Sequence, residues 1–366
     1  MSAERTVLLT GGTGTLGREL ARRLAVDPSA PRVVVLSRSA SGRDPRLPST
    51  VRVVRGDLRA GSQLGLSPAH WDELSLKVTD VLHSAADTRL TLPLEEARSV
   101  NVAGTRALLD FAAGCRSLRR VGVFSTVYVA GRRTGRITED DLDDGSAGFV
   151  NSYERSKHEM EREVRDRMTD LPIAVYRLST LIGDSRTGAV TTPNAFHHAL
   201  RLLYHGLAPM VPGRSENRVD VVAVDFVAAA AWWLFEHRFE AGRTYHLCSG
   251  ETASSTLGEL IDGTVESFLR FRPEWRRRHV EKPTIVDPST YELFVRSVEE
   301  TGNEVLLRAT RAVQSFAGQL SCSKVFETHE TAASLEGSGL RPPPVLEYLP
   351  RVVGSCLETE WKGAAA

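Results

Sequence analysis

Through the first half of the chain, short continuous apolar runs alternate with longer stretches of helical periodicity. Runs of strand length fall at Thr6–Thr10, Arg32–Leu36, Val51–Val54, Val78–His83, Val121–Ser125 and Ile173–Tyr176. Between them, Arg18–Ala25, Leu94–Ala113 and Ser152–Met168 space their apolar residues as helices do. Strands rich in Val, Ile and Leu on both faces belong in a parallel sheet covered on both sides. The expected fold is therefore α/β: a Rossmann-type doubly wound parallel sheet with helices on both faces.

After Tyr176 the rhythm changes. Asn194–His205 reads as a helix, VDVVAVD as a strand entering the helix DFVAAAAWWLFEH, and TYHLCSG as another strand. From about Leu257 the chain is mainly helical. One pattern spans Phe294, Val298, Val305, Ala309, Val313, Phe316 and Leu320, with Gly302-Asn303 placed to interrupt it. This predicts an α/β domain over residues 1–178, rejoined by 216–248, and a smaller, mostly helical region over 179–215 and 249–366.

The first strand runs into Thr10-Gly11-Gly12-Thr13-Gly14-Thr15-Leu16-Gly17 at the start of a helix. Glycines at this spacing let the backbone turn tightly, approach a pyrophosphate and pack the helix against the sheet. The helix N-terminus then offers free N–H groups and a positive dipole end to phosphate. Strand two ends Ser37-Arg38, where an acid would bind a ribose 2′-hydroxyl. Arg38 instead suits a 2′-phosphate, with Ser37 as a second donor and Arg43 or Arg46 as alternatives, so NADP(H) is expected over NAD.

Tyr153 and Lys157, four residues apart, share one face of a helix. A phenol near pKa ~10 is a poor catalyst at neutral pH, but an adjacent ammonium stabilises its phenolate. The fifth strand brings Ser125 and Thr126 to the carboxyl edge of the sheet, where open α/β sheets bind ligands. Thr126 is placed to polarise a substrate carbonyl, with Ser125 as the neighbouring alternative.

These motifs, taken with Asp57-Leu58, HSAAD (His83–Asp87), Asn101-Val102-Ala103-Gly104-Thr105, FSTVYVAG and YERSK, resemble the extended short-chain dehydrogenase/reductases over about residues 5–250. The spelling YRLSTLIGDSRTG, followed by VDVVAVDFVAAA, is similar to the thioester reductase and fatty acyl-CoA reductase branch, although Leu178 stands where that branch usually has proline. The resemblance implies that residues 1–178 with 216–248 bind NADP, that 179–215 and 249–366 form a substrate-binding or lid region, and that Thr126, Tyr153 and Lys157 are catalytic, Tyr153 and Lys157 also touching the cofactor. It implies that Gly11, Thr13, Gly14, Thr15, Leu16, Gly17, Ser37 and Arg38 hold the cofactor. Asp57 and Leu58 would flank its adenine, Ala85 and Ala86 would line it, and Asn101, Ser125 and Leu178 would sit toward its nicotinamide. The implied activity is NADPH-dependent hydride transfer to a carbonyl of a large substrate, either an acyl thioester on CoA or a carrier protein, or the derived aldehyde. The alternatives are a ketone or aldehyde reductase of specialised metabolism, an NAD-dependent nucleotide-sugar epimerase or dehydratase, and a non-catalytic dinucleotide sensor.

Composition narrows the field further. With 46 Lys+Arg against 46 Asp+Glu, the 366-residue chain lacks the net basic charge of a general nucleic-acid binder. Four scattered cysteines form no C-x-x-C pair, and the first residues carry no signal-peptide pattern, so a cytoplasmic location with reduced thiols is expected. The apolar run Val219–Phe235 is too short and too charged to span a bilayer. His197-His198 lacks metal-ligand spacing, and no metal site is expected. The arginines from Arg270 to Arg278 and the acidic run Glu139–Asp144 read as solvated surface. The oligomeric state is left open.

Overall fold

The computed structural model describes residues 5–27, 31–38, 44–278 and 281–363, with only the backbone of 276–278. Seven strands form one sheet: β1 (Thr6–Thr10), β2 (Arg32–Ser37), β3 (Arg52–Arg55), β4 (Asp80–His83), β5 (Arg120–Thr126), β6 (Ile173–Leu178) and β7 (Thr244–Leu247). Their spatial order is 3-2-1-4-5-6-7, and every pairing is parallel. The predicted strands all occur, with ends shifted by a residue or two.

Alternation along each strand explains why both faces are apolar. Val7, Leu9, Val33 and Val35 enter one core, while Leu8, Val34, Leu36 and Val81 enter the other. The first face is covered by α1 (Thr15–Val26) and, later in the chain, α7 (Val224–His237). The second is covered by α2 (Pro68–Lys77), α4 (Ala103–Ala113) and α5 (Ser152–Arg167). The stretch predicted as one helix over Leu94–Ala113 is two, α3 (Leu94–Asn101) and α4, broken at Val102.

α6 (Ala195–Tyr204) begins at Asn194, whose side chain and that of His197 form a reciprocal cap. The VDVVAVD stretch is two short strands, Arg218–Val219 and Val221–Val222, before α7. Then come α8 (Leu257–Phe271), α9 (Pro288–Thr301), α10 (Glu304–Ser321) and α11 (Val345–Glu358). Gly302, in the left-handed conformation, separates α9 from α10, at the interruption the sequence marks. Asn217 closes the excursion that holds α8–α10: its carbonyl accepts from the Leu257 amide (2.8 Å) and its side chain donates to the Leu320 carbonyl (2.7 Å). Among the described residues, no helix is long and apolar enough to cross a membrane.

Two runs that read as surface contribute to the interior. Glu139 is 3% exposed and accepts from the amides of His246 (3.0 Å), Glu330 (2.7 Å) and Thr331 (3.0 Å) and from the Thr331 hydroxyl. It staples the segment before α5 to β7 and to the short helix His329–Ser334. In the arginine-rich run, Trp275 is core and donates its indole N–H to the Tyr204 carbonyl (2.7 Å). The side chains of Arg276, Arg277 and Arg278 lie outside the described residues.

Candidate active site

β1 delivers the glycine turn to the carboxyl edge of the sheet. Gly11 has φ +71°, and a Cβ there would lie 2.5 Å from the Ala85 nitrogen. A Cβ on Gly17 would lie 2.1 Å from the Gly11 carbonyl. Both positions therefore exclude any side chain. α1 starts without a side-chain cap, so its first N–H groups remain available to an anion. The cradle thus fits a dinucleotide pyrophosphate, and Gly14, Thr15, Leu16 and Gly17 border the adjoining cavity. Thr13 lies in the same turn, half-buried.

Neighbouring loops are locked to this turn. His83 hydrogen-bonds Thr10 (2.7 Å) and Thr105 (2.8 Å), and burial lowers its pKa to about 3, which keeps it neutral. Ala85 donates its amide to the Thr10 hydroxyl (3.3 Å), and Ala86 lines the cavity. Asn101 clips the loop to α5: its side chain accepts from the Asp87 amide (2.8 Å) and donates to the Asp87 carbonyl (3.0 Å) and the Ser156 hydroxyl (2.9 Å).

At the end of β2, Ser37 is buried and Arg38 exposed. The Arg38 charge helps hold the Asp57 and Asp87 carboxyls below their usual range, behind the larger effect of Arg59 and Arg89 respectively. Leu58 packs beneath Gly104. Arg46 is committed to a fork with Asp44 (2.6 and 2.9 Å), which leaves Arg38 better placed for a phosphate; Arg43 lies outside the described residues. Arg18, next to Gly17, is a neighbour of the cradle that the motifs alone do not mark. It donates to Thr192 (3.1 Å), and Arg46 and Asp44 act on its charge. Its place directly after the last motif glycine is the signal the sequence offers.

The catalytic candidates converge. Asn151 caps α5 by accepting from the Glu154 amide (3.0 Å), which puts Tyr153 in the first turn. Lys157, one turn on, is 3% exposed and donates to the Phe124 carbonyl (2.9 Å). Thr126 donates to the Leu178 carbonyl (3.0 Å). Burial pushes the Tyr153 phenol up to about 12, while the neighbouring Thr126 hydroxyl pulls it back down. Burial lowers Lys157 to about 8 against the upward pull of Glu161. Glu161 is itself fully buried, paired with Arg177 (Nε to Oε1, 2.9 Å), and accepts from Ser125 (2.6 Å). Glu161 thus holds the Ser125 hydroxyl and the Leu178 carbonyl holds that of Thr126; of the two, it is Thr126 that acts on the Tyr153 phenol.

One cavity of about 820 Å³ joins the glycine turn, Thr126, Tyr153, Lys157 and Leu178 to an apolar end. That end is walled by Phe196 and Leu203 from α6, Leu260 from α8, and Val313, Phe316 and Leu320 from α10. His197 and His198 do not act together: His197 donates from Nε2 to the Ile182 carbonyl (3.1 Å) and accepts the Asn194 amide at Nδ1 (3.0 Å), and of the two only His198 lines the cavity.

A sequence family described as male sterility protein, an NAD-binding domain, matches residues 9–231. The carboxylic acid reductase of Segniliparus rugosus is 31% identical over 310 residues, covering 73% of this chain and 26% of that protein. A linear gramicidin synthase of Brevibacillus parabrevis is 29% identical over 266 residues, covering 66% of this chain and 5% of the synthase. Among solved structures, the terminal R domain of the myxalamid PKS-NRPS biosynthetic pathway superposes with a TM-score of 0.80 at 25% identity, covering 100% of this chain and 94% of that one. The chain thus spans about a quarter or less of the length of these two curated relatives.

Proposed function

Because the chain belongs to the male sterility protein family of NAD-binding, extended short-chain dehydrogenase/reductase domains, we propose that it is an NADPH-dependent reductase of acyl thioesters, presented on CoA or on a carrier protein. The observation that carries this reading is the single cavity in which the glycine cradle, the buried Thr126–Tyr153–Lys157 set and a long apolar end meet. The family fold accounts for a nicotinamide cofactor; Arg38 supports the phosphorylated form. The relatives named above, a carboxylic acid reductase and a gramicidin synthase, support a carboxyl-level substrate and delivery by a carrier. In this reading residues 1–178 with 216–248 hold the cofactor, and 179–215 with 249–366 select the substrate.

The chain's own residues would act as follows. The bound cofactor supplies a hydride to the thioester carbonyl carbon. Tyr153 hydrogen-bonds the carbonyl oxygen, joined by Thr126 once its hydroxyl turns from the Leu178 carbonyl, and Tyr153, protonated at neutral pH, gives its proton as that oxygen gains charge. Lys157 and the positive end of α5 stabilise the resulting phenolate. The product is a hemithioacetal. As its C–S bond breaks, the phenolate takes back the hydroxyl proton, and the departing thiolate is protonated by water, leaving aldehyde and thiol.

The test follows NADPH and NADH oxidation by the purified chain with acyl-CoAs, carrier-bound acyl groups, aldehydes and ketones. Thioester-dependent NADPH oxidation that yields aldehyde or alcohol is the expected result. Turnover restricted to ketones, or a retained NAD with no net oxidation, overturns it.

A further inference from the structure

Lys324 lies on the short strand Lys324–Phe326, which pairs in parallel with Gly135–Ile137. Its side chain borders the catalytic cavity beside Gln319, Cys322 and Phe326, yet it is only 5% exposed. Among the described residues it makes no hydrogen bond, and no carboxylate lies within ion-pairing distance. Its longer-range partner, Glu154, is occupied elsewhere. One Glu154 oxygen accepts from Gln319 (2.5 Å) and the other from the Val150 amide (2.8 Å). Arg132 adds repulsion. Most of the Lys324 side chain is buried, and burial lowers its pKa, while the nitrogen itself keeps some accessible surface. With no hydrogen-bond acceptor from the protein, the ammonium is open to the space a substrate would fill.

We propose that Lys324 is a substrate-binding residue whose ammonium receives a neutral carbonyl oxygen carried by the substrate away from the reacting thioester. The proposal rests on the thioester reading. A carbonyl oxygen, which only accepts, matches an ammonium, which only donates. Such an oxygen has two sources: the acyl group itself, or an amide of the pantetheine arm.

Three thioesters separate them: octanoyl-S-pantetheine, octanoyl-S-butanethiol, and an N-acylaminoacyl thioester of butanethiol. Lys324→Met is expected to raise KM about 10- to 100-fold for whichever thioester carries the recognised carbonyl, with kcat little changed. Octanoyl-S-butanethiol, which has no second carbonyl, is expected to be unaffected. Response of the pantetheine thioester places the oxygen on the thiol side; response of the aminoacyl thioester places it on the acyl side. The melting temperature of Lys324→Met without substrate should stay level, since the ammonium has no hydrogen bond or ion pair with the protein to lose. An unchanged KM for all three thioesters, an equal rise for all three, or a lowered melting temperature with unchanged KM, overturns the proposal. If Lys324→Met does not fold, Lys324→Gln carries the same comparison. Should wild-type protein reduce no thioester, the functional reading fails by itself. Octanal against an N-acylaminoaldehyde then tests Lys324 on the aldehyde, by the same KM comparison.

Discussion

Gly17 and Phe316 border the same cavity and are constrained in opposite ways. Gly17 is held by backbone: its missing side chain lets α1 close on the Gly11 carbonyl. Phe316 is one of several half-buried apolar side chains on α10 that line the cavity while packing on the cluster of Ala208, Tyr291, Val295 and Val313. The cofactor wall is built from main-chain geometry that admits almost no substitution. The substrate wall is built from side chains that can be exchanged at the cost of some packing. A fold arranged this way can keep one reagent while its substrates vary.

The largest expected effect lies where the two walls meet. Tyr153→Phe should lower kcat about 100- to 10,000-fold with the NADPH dissociation constant within threefold of wild type, measured by turnover and by nucleotide fluorescence. Full activity in this variant removes Tyr153 from the chemistry. Gly17→Ala should come next, with both a lower melting temperature and loss of NADPH binding, because the new Cβ meets backbone at 2.1 Å. If Gly17→Ala binds NADPH normally, the rigidity assigned to the cofactor wall is wrong.

Arg38→Ala should raise KM for NADPH roughly 10- to 100-fold and leave KM for NADH unchanged, since only the former has the 2′-phosphate. An equal change for both cofactors would detach Arg38 from the phosphate. The pH profile gives a smaller effect with a defined sign. The charged form of Lys157, needed to stabilise phenolate, is present below about 8 and is lost above it. Activity should therefore fall as pH rises through that value. Glu161→Gln removes the carboxylate that pulls Lys157 upward, so the falling limb should move to lower pH. Phe316→Ala should do least to the chemistry: a few-fold change in KM among acyl substrates and a somewhat lower melting temperature, with NADPH binding nearly unaltered. A large loss of NADPH binding there would erase the distinction between the walls.

The same contrast explains what is legible in the chain before it folds. β1 to β6 are legible because each buries both faces, so their apolar runs are unbroken. The glycine turn and the Tyr153/Lys157 spacing are legible because both are local. Glu139 and Lys324 are not. Each looks like solvated charge in its own neighbourhood, and each is buried by contacts remote in sequence: Thr331, 192 residues away, for Glu139, and the strand at Gly135–Ile137 for Lys324. The helix break at Val102 is hidden for a different reason: it follows Asn101, whose side chain is tied to the Asp87 loop by contacts that no local periodicity marks.

Asn217 carries a consequence for how this chain could diversify. Because one residue fastens both the entry at Leu257 and the exit at Leu320, the helices between them form a cassette whose ends meet at a single point. A cassette of that kind can be lengthened, shortened or transplanted from a relative without moving any strand of the sheet. Recombination at this clasp is therefore the economical route to new selectivity, while the chemistry beneath it stays as it was.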